Sequence, residues 1–215
     1  SDVYKRQVYD SPNANFESNS PVCAGLDVNF LNTGSTGNHT YLWDFGADAN
    51  PSTSTDENPQ NIVYSQHGIK LVTLVITNTE TTCSDSVTHP IVINESPVAA
   101  FISNAPVCGD EGVEFENAGS TGGNWTFTWN FGQSAQPASS TAENPGIIMY
   151  STGGSKSVSL TVTNGICTAS ITNDIEIFEF PEINAGADTI ICANTSMILG
   201  SPQIDNYTYL WYPSN

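Results

Sequence analysis

Tyr41-Leu42-Trp43-Asp44-Phe45-Gly46 returns 86 residues later as Phe127-Thr128-Trp129-Asn130-Phe131-Gly132. In both copies the aromatic residues occupy alternate positions, which places them on one face of a strand and leaves the other face to water. The register holds beyond this stretch. Glu57-Asn58-Pro59 returns as Glu143-Asn144-Pro145, Tyr64 as Tyr150, and Leu74-Val75-Ile76-Thr77-Asn78 as Leu160-Thr161-Val162-Thr163-Asn164. Upstream, Pro21-Val22-Cys23 and Gly34-Ser35-Thr36-Gly37 return after 85 residues as Pro106-Val107-Cys108 and Gly119-Ser120-Thr121-Gly122. The chain therefore carries two homologous modules of about 85 residues, the size of a small sandwich domain.

The alternation continues in other segments. Val28 and Phe30 alternate with Asp27 and Asn29, and Val113 and Phe115 with Glu114 and Glu116. Val72, Leu74 and Ile76 share one face of a later strand, as do Val158, Leu160 and Val162. Strands separated by Gly, Asn and Pro clusters, with no 3.6-residue period, predict an all-β chain of antiparallel sandwiches. A third module starts near Pro181, because Cys192 follows Cys108 by 84 residues and Tyr209-Leu210-Trp211 echoes Tyr41-Leu42-Trp43. The expected division is an unstructured leader over 1–13, module one over 14–95, module two over 96–180, and the truncated start of a third module over 181–215. Ser1–Gln7 hold Lys5 and Arg6, match nothing downstream, and read as foreign; the rest then reads as an internal piece of a longer chain. The linkers at Glu95-Ser96-Pro97 and Phe180-Pro181 are short, so the modules are expected to stack end to end with restricted hinges.

Composition excludes several functions. Four Lys and Arg face 22 Asp and Glu, a net charge of −18, so a nucleic-acid binder is excluded for want of cations. No apolar run is long enough to insert in a membrane as a helix. No Gly-x-Ser-x-Gly elbow, His-Glu-x-x-His or P-loop is present, and His39, His67 and His89 have no counterparts in module two, so no catalytic residue is assigned. The expected chain is a non-enzymatic monomer.

The five cysteines follow the modules: Cys23 and Cys83, Cys108 and Cys167, then Cys192. Four module cysteines allow three pairings. Repetition favours Cys23–Cys83 and Cys108–Cys167, one staple per module, with Cys192 the one free thiol. No zinc-ligand spacing competes with this reading. Disulfides imply an oxidising compartment and hence an extracellular or cell-surface protein.

Both complete modules resemble PKD (polycystic-kidney-disease) domains, which are immunoglobulin-like β-sandwiches. The resemblance is carried by Trp43-Asp44-Phe45-Gly46 and Trp129-Asn130-Phe131-Gly132, by the two Glu-Asn-Pro triplets, by Tyr64 and Tyr150, and by the strands ending at Asn78 and Asn164. It implies a core signature of Trp43, Phe45, Tyr64, Trp129, Phe131 and Tyr150. The segment with Ala185-Gly186-Ala187-Asp188 and Cys192 is similar to a repeat of Bacteroidota-type secreted multi-module proteins. What the resemblance implies is a spacer or adhesion array contacting proteins or polysaccharides at the cell surface. The alternative is an accessory substrate-binding segment of a secreted protease or glycoside hydrolase.

Two site readings stay open at this level. Trp125, at the mouth of its strand, either caps the sandwich or stacks on a sugar. Asp44, Asp48, Asp56 and Glu57 in module one, with Asp110, Glu111 and Glu143 in module two, are either solvated and turn-forming acids or Ca²⁺ ligands. No cofactor is otherwise implied. Asn130 in place of an aspartate puts a metal role in module two in doubt.

Overall fold

The computed structural model describes residues 10–179, 189–197 and 208. Ser1–Gln7 and most of 181–215 lie outside the described residues. Module one contains β1 (Phe16–Ser18), β2 (Val22–Cys23), β3 (Asp27–Val28), β4 (Phe30–Asn32), β5 (His39–Asp44), β6 (Ala49–Asn50), β7 (Thr53–Ser54), β8 (Ile62–Tyr64), β9 (Gly68–Asn78) and β10 (Ser84–Asn94). Module two contains β11 (Phe101–Ser103), β12 (Val107–Cys108), β13 (Val113–Asn117), β14 (Thr126–Asn130), β15 (Ala135–Gln136), β16 (Ser139–Ser140), β17 (Gly146–Tyr150), β18 (Gly154–Thr163) and β19 (Thr168–Phe178).

Each module builds one five-stranded sheet around a long antiparallel hairpin: β2-β10-β9-β5-β7 in the first and β12-β19-β18-β14-β16 in the second. The facing layer of module two is the four-stranded β11-β13-β17-β15. In module one that layer is split into β1-β4 and β3-β8-β6. The split falls at Asn29, whose side-chain oxygen accepts the Asn61 N–H at 2.9 Å and so interrupts the ladder that β13 carries unbroken. Among the described residues only β2 and β12 pair in parallel, with Ile93 and Asn94 beside Val22 and Cys23, and Ile177 and Phe178 beside Val107 and Cys108. The chain is thus all-β, two immunoglobulin-like sandwiches in tandem.

The cores explain the alternation. Trp43, Val72, Leu74 and Ile76 in module one and Trp129, Val158, Leu160 and Val162 in module two are fully buried between the layers. Phe16, Phe30, Trp43 and Phe45 form an aromatic cluster with centroids 4.9–5.9 Å apart. Phe101, Phe115, Trp129 and Phe131 repeat it at 5.2–6.0 Å. Such edge and offset contacts add about 0.5–1.5 kcal/mol per pair beyond the burial of area. The outer sheet faces carry hydroxyl pairs beside a few acids such as Asp174 and Glu176: Thr73 with Thr88 and Thr161 with Ser170, each at 2.9 Å. That is how a chain with 12% charged residues covers two sandwiches with a polar surface.

Candidate functional site

Three recurrent motifs hold each sandwich together. The indole N–H of Trp43 donates to the Asp56 carbonyl at 2.8 Å, and that of Trp129 to the Ala142 carbonyl at 2.9 Å. Each buried Trp is therefore satisfied by the backbone carbonyl immediately before the Glu-Asn-Pro triplet. Asn58 and Asn144 then cap the facing layer, their side-chain oxygens accepting the N–H groups of Asn32 and Asn117 at 2.8 and 2.9 Å. The Gly-Ser-Thr-Gly loops strap down the segment that enters each module. Ser35 N–H donates to the Asn13 carbonyl and Ser120 N–H to the Val98 carbonyl, both at 2.9 Å. Gly34 and Gly119 sit so close to those same carbonyls that a Cβ at either position would collide with backbone.

The acidic candidates do not converge. The Asp44 carboxylate accepts the Gly46 N–H at 2.9 Å, closing a turn in which Gly46 has φ +89°. Asn130 does the same for Gly132 at 2.9 Å. The aspartate-to-asparagine change between modules thus preserves the one bond the position makes, a turn role that needs an acceptor and no charge. Asp48 forms an ion pair with Lys70. Asp56 accepts from the Ser54 hydroxyl at 3.2 Å, and Glu57 lies near enough to Tyr41 to raise its phenol, after burial. Glu111 accepts the Cys108 N–H at 3.2 Å. Among the described residues no three His, Cys, Asp or Glu side chains gather closely enough to hold a metal ion. Trp125 is half-buried and packs against the module-two core, while His39 at the equivalent place contacts the Thr36 carbonyl at 3.1 Å.

Tyr64 and Tyr150 are buried at the foot of each sandwich. The Tyr150 hydroxyl donates to the Phe131 carbonyl at 2.9 Å, whereas the Tyr64 hydroxyl has no hydrogen-bond partner among the described residues. Burial pushes Tyr150 up to about 12. Burial, then the Asp48 and Asp44 carboxylates, pushes Tyr64 well above the ordinary tyrosine range.

The modules meet at a covalent junction, and here the sequence expectation is corrected. Neither Cys23–Cys83 nor Cys108–Cys167 forms. Cys23 is bonded to Cys167, across the module boundary, with Cα atoms 5.9 Å apart and a sequence separation of 144. Cys83, Cys108 and Cys192 are free, so three thiols stand where one was expected. The reason is the length of the hairpin. Cys23 lies beside Asn94 at one end of β10, and Cys83 precedes Ser84 at the other. At about 3.3 Å per residue the two ends are roughly 35 Å apart, while a disulfide needs Cα atoms within about 7 Å. Cys108, beside Phe178, and Cys167, before Thr168, are separated along β19 in the same way. The hairpin end of module two instead abuts the opposite end of module one. Two hydrogen bonds tie the same place: the Asn164 side-chain N–H donates to the Glu95 carbonyl at 3.1 Å, and the Ser96 hydroxyl to the Ala24 carbonyl at 2.7 Å. Cys167 is 2% exposed, sealed in the contact.

A model of the PKD domain matches residues 9–93 and again 94–177. The chain belongs to the PKD domain family. Its two PKD modules are also similar to modules of several solved structures. A three-domain I-band fragment of titin is 16% identical, with 80% of this chain and 67% of that one covered and a TM-score of 0.38. Extracellular domains 3–5 of Drosophila OTK are 13% identical, covering 79% and 62%, with a TM-score of 0.43. Fibronectin(III)-like modules of Clostridium thermocellum CbhA are 13% identical, covering 77% and 95%, with a TM-score of 0.34. A comparison with curated protein sequences gave no match. Among the described residues no helix is long and apolar enough to cross a membrane. PKD domains of this kind are generally non-catalytic modules, typical of extracellular spacers and adhesion proteins.

Proposed function

We propose that this chain is a non-catalytic spacer and adhesion segment of a large secreted or cell-surface protein, with 14–95 and 96–180 as its repeating units. It holds its neighbours apart and makes contacts to proteins or polysaccharides at the cell surface. The observation that carries this reading is the Cys23–Cys167 bond, which fixes one PKD module end-on against the next. A flexible linker would let the pair fold back on itself; a junction closed by a disulfide and two hydrogen bonds keeps it extended. Disulfides persist in oxidising compartments, so the bond supports the extracellular reading.

Small-angle scattering tests the spacer. Each long hairpin spans roughly 35 Å at about 3.3 Å per residue, so two modules in line give a core about 70–80 Å long. A side-by-side pair about half that length overturns the reading. Adhesion is tested by pull-down of the full chain on insoluble polysaccharides and on collagen. Binding to neither removes that half of the proposal.

A further inference from the structure

We infer that Cys108 and Cys83 are the two unfilled halves of the same junction, and that each takes a further PKD module end-on through a disulfide. The inference deepens the array reading above and rests on the Cys23–Cys167 bond. Cys108 is the counterpart of Cys23. Each ends a two-residue parallel strand, beside Phe178 in one module and Asn94 in the other. The Cys108 carbonyl accepts from Glu111 N–H at 2.9 Å, and the Cys23 carbonyl from Leu26 N–H at 3.0 Å. Cys83 is the counterpart of Cys167. Their carbonyls accept from Asn78 and Asn164 N–H at 2.9 and 3.2 Å, so both stand at the same point of the hairpin, although the loop of module one is two residues longer.

Two further features complete the match. Asn164 uses its side-chain oxygen to cap its own turn, accepting from Ile166 and Cys167, and its side-chain N–H to reach Glu95 across the junction. Asn78 caps its turn in the same way, accepting from Glu80 and Thr81 at 2.9 and 3.0 Å. None of the hydrogen bonds among the described residues uses the Asn78 side-chain N–H. At the far end of module two, Glu179, the counterpart of Glu95, borders an open concavity of about 360 Å³ with Gly109, Asp110, Tyr150, Thr152 and Gly153. Module two thus presents the seat, and module one the hairpin that fits such a seat. Both thiols are partly exposed.

The partner is therefore another module of the same kind, and a second copy of this chain supplies one. Joining the copies oxidises one Cys108 thiol and one Cys83 thiol. Two protons and two electrons pass to an external disulfide, which is reduced to two thiols. The test uses the full chain carrying Cys192→Ser, concentrated in a buffer of glutathione and glutathione disulfide, with linked peptides mapped by mass spectrometry. Random pairing gives Cys83–Cys108 links twice as often as each symmetric link. Shared junction geometry should raise that preference to about tenfold or more, a difference of the size one good contact supplies. Links at the random ratio, mainly symmetric links, or thiols capped only by glutathione overturn the inference while Cys23–Cys167 is still found. Absence of Cys23–Cys167 from the same map overturns the array reading beneath it.

Discussion

Pulling on the two ends of this chain should fail to unravel most of it. Force entering before module one reaches Cys23, crosses the disulfide to Cys167, and leaves through β19. Ala24 through Ile166, inside the 144-residue closure, carry no load. At about 3.5 Å per extended residue, that removes about 500 Å of contour length from the unfolding record. Of the two modules, residues 10–23 and 167–179 lie outside the closure, and these yield about 90 Å before the folded span is subtracted. Single-molecule force spectroscopy on the non-reduced chain should therefore show one short extension. Adding dithiothreitol, or replacing Cys23 by Ser, should restore two module-sized steps of about 300 Å each. Two steps in the non-reduced chain would falsify the intermodule bond: full ones mean that the modules are unbonded, shortened ones that each carries its own staple.

Other expectations follow from the same structure. Counting thiols on the unfolded, non-reduced chain should give three, with Cys23 and Cys167 recovered in one linked peptide; a Cys23–Cys83 peptide refutes the junction. Gly34→Ala should lower the unfolding free energy of module one by about 1–3 kcal/mol in urea titration, because its Cβ must displace the Asn13 carbonyl; an unchanged midpoint removes that account. Asp44→Asn should leave the melting temperature unchanged, since Asn130 already makes the equivalent bond, while Asp44→Ala should cost about 1 kcal/mol; a large loss with Asn would point to a charge-dependent role. Tyr64 and Tyr150 are both raised, so their neutral forms favour the folded state. That contribution is complete below the unfolded tyrosine value near 10 and is lost as pH rises toward about 12, the folded value of Tyr150. Absorbance at 295 nm should show two tyrosines that ionise only as the chain unfolds, and the urea midpoint should fall over that interval.

The strands and cores were legible because burial imposes a period of two. Trp43, Phe45, Trp129 and Phe131 fall where that period puts them, on the inner face of β5 and β14 and the turn that follows. The repeat marked Glu-Asn-Pro and Gly-Ser-Thr-Gly as constrained without saying by what. Asn58 caps a strand that lies 26 residues away, and Gly34 is pinned by a carbonyl 21 residues before it, contacts that no local pattern encodes. The cysteines were misassigned because a spacing of about 60 residues has no geometry of its own. The strand Ser84–Asn94 has Cys83 at one end, but that Cys23 stands at the other follows from the β2–β10 pairing, which no local pattern encodes. The remaining partner lay in the next module, where a reading confined to one repeat does not look.

The same closure bears on cutting as much as on pulling. A single peptide bond hydrolysed anywhere between Ala24 and Ile166 opens a ring and leaves one covalent molecule. Every loop of both sandwiches between Gly25 and Gly165 lies within that stretch. An exposed array nicked there keeps its far end attached, and release takes a second cut outside the ring or a reductant.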